Sequence, residues 1–199
     1  DICAVFTAVA GVPANDDPCS ATALTVGSSC SATNGYNNCG TNNATPGDPG
    51  CGNFGGTSLD VWYSFTAPAS GLAIIEVTSG TLANPSMALY SGTCGALALV
   101  ECDADDGAGN TPAIYNTGLT PGNTYFIRIW GSGSSVGSFT VCVRSPTASV
   151  GYSCSWLIEM FDTGGDGWGT SQINISIDGG PATSYTVTQA FNALLIGLN

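Results

Sequence analysis

Tyr125-Phe126-Ile127-Arg128-Ile129-Trp130 is the stretch on which the fold class turns. In an extended chain successive side chains point to opposite faces, so Tyr125, Ile127 and Ile129 share one face and Arg128 lies on the other. Ile173, Ile175 and Ile177 alternate with Asn174, Ser176 and Asp178 in the same way. Further strands are expected over 60–67, 71–78, 86–90, 96–102, 112–117, 136–144 and 154–161, short apolar runs set apart by Gly, Pro, Asn and Ser clusters. Thr120-Pro121-Gly122 marks one of the hairpin turns between them. No stretch carries a convincing helical period. The expectation is an all-β chain, a jelly-roll-like antiparallel sandwich with a small C-terminal β segment.

Composition narrows the function. Charged residues are 8% of the 199 residues, while 43% are hydrophobic, so the chain folds rather than staying disordered. Its polar surface is built from Ser, Thr, Asn and Gly. There is no Lys and no His, and Arg128 and Arg144 are the only cations in a chain of net charge −12. Nucleic-acid binding needs clustered cations to neutralise phosphates and is excluded. Binding to anionic lipid is disfavoured for the same reason. Without His or Lys the usual bases for a Ser or Cys nucleophile are missing. Glu76, Glu101 and Glu159 are not paired by anything in the sequence, so no enzyme is expected.

The nine cysteines stand at positions 3, 19, 30, 39, 51, 94, 102, 142 and 154. None lies within the short C-x2-4-C spacing of a zinc site, so disulfides and an extracellular setting are the expectation. Cys94 with Cys102 would close a short hairpin, and Cys39 with Cys51 would staple the Gly/Asn/Pro-rich stretch 31–56. An odd count leaves one cysteine free, or paired between chains. No apolar run reaches the length of a membrane span.

Three regions are expected: an apolar N-terminal strand or extension over 1–14, a main sandwich over 15–146, and a small module over 147–199. In the main region four motifs occur in order: Asn15-Asp16-Asp17-Pro18-Cys19, Asp60-Val61-Trp62-Tyr63-Ser64-Phe65, Ala88-Leu89-Tyr90-Ser91-Gly92-Thr93-Cys94, and Gly118-Leu119-Thr120-Pro121-Gly122-Asn123-Thr124-Tyr125. Together they resemble the bacterial pre-peptidase C-terminal (PPC-like) β-sandwich family, in the cysteine-rich form frequent in secreted Bacteroidota proteins. That resemblance implies a sandwich used as an accessory module beside an enzyme or adhesin, and implies no catalytic activity. Phe161-Asp162-Thr163-Gly164-Gly165-Asp166-Gly167-Trp168-Gly169 resembles the D-x-x-G-D-G-W module of similar secreted proteins, here a partial copy.

Chemistry gathers at a few places. Asp103, Asp105 and Asp106 supply three carboxylates within four residues on a Gly-containing loop, the kind of oxygen-rich segment calcium takes. The competing reading there is a solvated hairpin turn closed by Cys94–Cys102; Asp162 and Asp166 offer a second candidate calcium turn, whose competing reading is a self-capped turn anchored by Trp168. Asp16 and Asp17 are expected to cap a turn. Trp168, on a glycine-rich loop, is the ring expected to be exposed for glycan stacking, whereas Trp62 and Trp130 are expected in packing.

Two apolar ends complete the reading. Ile2, Cys3, Val5 and Phe6 at one end, and Phe191, Leu194 and Leu195 at the other, are candidate strands for addition to a neighbouring copy. Repeated head to tail, that contact gives an open filament. The expected function is therefore an extracellular, cell-surface structural protein, the subunit of a filament or sheath assembled by strand exchange between copies. The alternative is a monomeric, calcium-stabilised adhesive or carbohydrate-binding accessory module of a larger secreted protein.

Overall fold

The structure, a computed structural model, describes residues 11–146, 172–175 and 183–185. After a 3-10 turn at Pro18–Ser20 come β1 (Thr22–Ala23), β2 (Val26–Gly27), β3 (Thr33–Tyr36), β4 (Asp60–Thr66), β5 (Ala73–Ser79) and β6 (Pro85–Thr93). They are followed by β7 (Ala96–Asp103), β8 (Ala113–Asn116), β9 (Thr124–Gly131), β10 (Ser138–Arg144), β11 (Ile173–Ile175) and β12 (Thr183–Tyr185). No α-helix occurs among the described residues. The strands expected from 60 to 144 are all found, each within a few residues of the range read from the sequence.

The main region is a two-sheet sandwich. One sheet runs β1-β4-β9-β6-β7; the other runs β2-β10-β5-β8, with β3 also paired to β10. The long pairings are antiparallel, as period-two strands joined by tight turns require. Two short ones are parallel, β1 on β4 and β2 on β10, so the sheets are mixed rather than purely antiparallel. Each parallel strand is two residues long, too short for any alternation to announce it.

Alternation places the core. Val61, Tyr63 and Phe65 from β4 meet Ile127 and Ile129 from β9, and Ile75, Val77, Val141 and Val143 from the facing sheet. Each of these is nearly inaccessible to water. At roughly 25 cal/mol per Å² of apolar surface removed from water, this layer is the main favourable contribution to folding.

The first sheet has a second buried layer on its outer face. Trp62, Ala88, Tyr90, Phe126 and Trp130 form it, with Phe54 and Leu97 packed alongside. Strands buried on both faces are unusual in a small sandwich, where one face normally meets water. The cover is the 37–58 segment, the Asn/Gly-rich stretch that looks low in complexity.

That segment is ordered by amide side chains rather than by the expected Cys39–Cys51 staple. Buried Asn37 donates to the Leu59 and Ser135 carbonyls and accepts from the Gly137 N–H. Asn42 donates to the Gly55 and Ser58 carbonyls, and Asn43 to the Asp60 carboxylate. Gly52 lets the segment lie directly on the sheet: it has a φ of +64°, and a Cβ there would sit 2.2 Å from Ser86 Oγ.

The disulfides also correct the expectation. Cys19 joins Cys94, Cys30 joins Cys142 and Cys51 joins Cys102. Cys94 sits just past β6 at the hairpin tip, whereas Cys102 pairs in register with Ala88. Six residues of strand from 88 to 94 hold the two about 20 Å apart, beyond any disulfide. Cys39 is exposed and unpaired, because Cys51 is committed to the far edge of the sheet.

Candidate functional site

Arg128 organises the outer face. Its Nε–H donates to the Asp60 carboxylate, and neither side chain is accessible to solvent. Its remaining N–H groups donate to the carbonyls of Asn43, Pro46 and Gly47, and its guanidinium lies 4.0 Å from the centre of the Phe54 ring. Planar, multi-donor geometry is what lets Arg, rather than Lys, clamp a loop of carbonyls onto a sheet. Burial raises the Asp60 carboxyl above its ordinary value, while Arg128 and Asn43 pull it part of the way back. The Trp130 indole N–H closes the cover by donating to the Gly52 carbonyl at 3.1 Å.

Where the cover stops, a groove opens on the same face. Across neighbouring strands Ser64 of β4 lies opposite Phe126 of β9, and Phe126 opposite Tyr90 of β6. The groove, about 690 Å³, is lined by Ser64, Thr124 and Phe126, by Ser91 and Thr93 from the end of β6, and by the Cys19–Cys94 bridge with its neighbour Ala21. No charged side chain lines it. Asp17 shapes one wall: its carboxylate caps the turn by accepting from the Cys19 N–H, as the sequence reading expects. Asp16 accepts from the Thr41 N–H and hydroxyl and ties the cover to the same wall.

The loop between β7 and β8 carries the acidic cluster. Ligand oxygens of Asp103, Asp105 and Asp106 lie within 4.8 Å of one another. Asp103 is buried, and its carboxylate accepts from the N–H groups of Asp106 and Ala113, the latter at 2.6 Å. Burial raises the Asp106 carboxyl, and the like charges of Asp103 and Asp105 raise it further. A divalent cation relieves that repulsion, so the donor set is of a kind a metal fits. Nearby Glu101 is also raised by burial, against the pull of a hydrogen bond from the Asn116 amide.

Of the residues singled out from sequence, only the acidic triad is brought together. Asp162, Asp166, Trp168, Ile2, Cys3, Val5, Phe6, Phe191, Leu194 and Leu195 lie outside the described residues, as do Cys154 and Glu159. Glu76 is not a lone strand acid: it accepts from Arg144 Nε at 2.7 Å on the outer face of the second sheet. The groove residues escaped the reading of the sequence. Ser64 breaking the large outer-face row of β4 after Trp62 was the available signal.

Comparison with known proteins fits this architecture. The T9SS-associated family described as galactose binding domain-like matches residues 14–143. The chain belongs to that family. The described sandwich of this galactose binding domain-like chain, with its three disulfides, is the cysteine-rich PPC-like module that the four collinear motifs imply.

Two solved structures are similar at low identity. The pre-peptidase C-terminal domain of a collagenase from Bacillus anthracis is 13% identical, with 62% of this chain and 95% of that one covered and a TM-score of 0.39. PliG from Aeromonas hydrophila, a periplasmic inhibitor of g-type lysozyme, is 13% identical, with 67% and 99% covered and a TM-score of 0.36. No curated protein matches the chain by sequence. A T9SS-associated family and a disulfide-bonded fold are those of a secreted protein. No helix among the described residues is long and apolar enough to cross a membrane.

Proposed function

We propose that this domain is a non-catalytic, saccharide-binding accessory module of a secreted protein, held at the cell surface, and that the groove over Ser64, Thr124 and Phe126 is its ligand site. The observation that carries the reading is the groove's chemistry: the hydroxyl groups of Ser64, Ser91, Thr93 and Thr124 around an apolar floor to which the largely buried Phe126 contributes, with no charge among the lining residues. Sugars are recognised by that combination of hydrogen-bonding rim and apolar floor, and the volume lies within the usual range for small-ligand sites. The family description points the same way. Both cations are already spent, Arg128 on Asp60 and Arg144 on Glu76, so an anionic ligand finds no counter-charge.

Calcium belongs to this reading as a stabiliser. Asp105, Asp106 and the free lone pairs of Asp103, with loop carbonyls, would hold the ion and fix the β7–β8 connection, away from the saccharide.

Calorimetric titration with galactose and galactose-containing oligosaccharides tests the proposal, with Ser64→Ala and Thr124→Ala as variants. Each lost hydroxyl, at about 0.5–1.5 kcal/mol, should weaken binding roughly two- to tenfold while leaving the fold intact. Absence of saccharide binding by the unaltered domain, or equal binding by both variants, would refute the assignment.

A further inference from the structure

In an antiparallel sheet each residue turns its N–H and C=O to the same neighbour, and successive residues alternate between the two sides. In β4 the Trp62 N–H donates to the Asn15 carbonyl and the Ser64 carbonyl accepts from the Leu24 N–H, so both residues face away from β9. Val61, Tyr63 and Phe65 therefore bond to their partners Ile129, Ile127 and Tyr125. That leaves Trp130, Arg128, Phe126 and Thr124 of β9 to face β6. The first three meet Ser86, Ala88 and Tyr90 there. Thr124 has no such partner among the described residues. The β6–β9 ladder stops at Tyr90 and Phe126, although β9 begins at Thr124 and β6 continues to Thr93.

Gly92 is the reason the ladder stops. It stands where the partner of Thr124 would be, but its φ of +103° turns β6 out of the extended path. A Cβ there would lie 2.3 Å from the Ala96 carbonyl oxygen, so glycine is the residue that makes this bend without strain. Beyond it, Cys94 packs against the outer-face layer and is joined to Cys19. One rung inside the sheet is thereby held open. Gly92 and Thr124 both line the groove, and neither makes a main-chain hydrogen bond outside its strands among the described residues.

We infer that a saccharide completes this rung: the Thr124 N–H donates to one ligand hydroxyl, and the Thr124 carbonyl accepts from the hydroxyl next to it. The inference rests on the saccharide reading of the groove and names the class within it, sugars with two adjacent free hydroxyls. A hydroxyl both donates and accepts, so a vicinal pair reproduces the two-bond exchange that a strand residue makes. An added peptide strand, by contrast, binds through a run of rungs, and here a single rung is open between β9, paired to β4, and β6, paired to β7. The main chain is set in place before the ligand arrives. Asn123, just before Thr124, donates to the Thr120 carbonyl at 3.2 Å and accepts from the Ala67 N–H at 2.9 Å. Little ordering is then left for binding to impose.

Amide-resolved NMR of the full chain, titrated with galactose and its singly deoxygenated derivatives, tests the inference. The Thr124 amide proton should shift with galactose in the wild type and in Thr124→Ala, which keeps the N–H. Removing either of two adjacent hydroxyls should erase that shift, and removing one elsewhere should preserve it. Thr124→Pro deletes the N–H at the first position of a strand, where proline is tolerated. It should bind roughly two- to tenfold more weakly than Thr124→Ala, with circular dichroism checking its fold. Galactose that binds without moving the Thr124 amide, or a shift that survives loss of each hydroxyl in turn, overturns the inference and leaves the saccharide reading standing. A folded Thr124→Pro that binds as well as Thr124→Ala does the same. No binding of galactose or galactose-containing oligosaccharides by the wild type overturns both.

Discussion

Arg128→Met removes the cation that holds the outer face together, and its cost can be worked from the contacts. The guanidinium is fully buried, so its loss strands the Asp60 carboxylate without a counter-charge. Breaking a buried pair in this way costs about 3–5 kcal/mol. The carbonyls of Asn43, Pro46 and Gly47 lose their donors as well, but the loop can relax toward water and recover part of that. The expected loss at pH 7 is about 4 kcal/mol. The sign of its pH dependence follows from Asp60. Its folded pKa is raised, so above the ordinary carboxylate value the folded state binds more protons than the unfolded one. Stability from this group is therefore lost as pH rises through that window. Removing Arg128 takes away a lowering influence and widens the window, so the variant's deficit should shrink at acid pH, where Asp60 is protonated. The double variant Asp60→Asn with Arg128→Met should recover about 2 kcal/mol at pH 7 and show little further change with pH. Urea unfolding with the disulfides intact, followed by tryptophan fluorescence at pH 7 and pH 4, measures all of these values. A loss under 1 kcal/mol, or one equal at both pH values and unrelieved by Asp60→Asn, would refute this account of the pair.

Two other predictions concern the covalent frame and the acidic loop. Peptide mapping of unreduced protein should recover Cys94 linked to Cys19 and Cys102 linked to Cys51, and chain-entropy arguments rank the bridges by loop length. Removing Cys30–Cys142, with its separation of 112, should therefore cost about 0.7 kcal/mol more than removing Cys51–Cys102, with a separation of 51; the reverse order in urea unfolding would show that packing under the 37–58 cover outweighs chain entropy. Asp105→Ala should lower the melting temperature in calcium and leave it unchanged in chelator, since Asp105 is exposed; an equal loss in both would sink the metal assignment.

The sandwich was legible because alternation is local. Tyr125, Ile127 and Ile129 announced their face without help from the rest of the chain, and the facing strands followed the same rule. The disulfides were not, because nearness in sequence and nearness in a hairpin differ: Cys94 and Cys102 are eight apart in number yet at opposite ends of one β ladder. The second buried layer was hidden for another reason. Arg128 on the far side of its strand reads as a solvent-facing charge, and only the pairing of Trp62 with Arg128 across two strands, 66 residues apart in number, shows that the face is closed. The 37–58 cover looked featureless because its order comes from Asn amides reaching distant carbonyls, an interaction with no sequence period.

The groove follows from that closure. A cover long enough to bury Trp130 and Arg128 but ending before Ser64 leaves one row of the sheet partly open, and the Cys19–Cys94 bridge walls it in. In the sequence, the scarcity of cations excludes phosphate-bearing partners. Once both arginines are seen to be consumed in ion pairs, the same scarcity sets what the groove offers a ligand. Its hydroxyls face no charged lining residue, and the nearby Asp17 carboxylate is engaged in capping its own turn, so a neutral, hydroxyl-rich molecule suits the groove better than an anion.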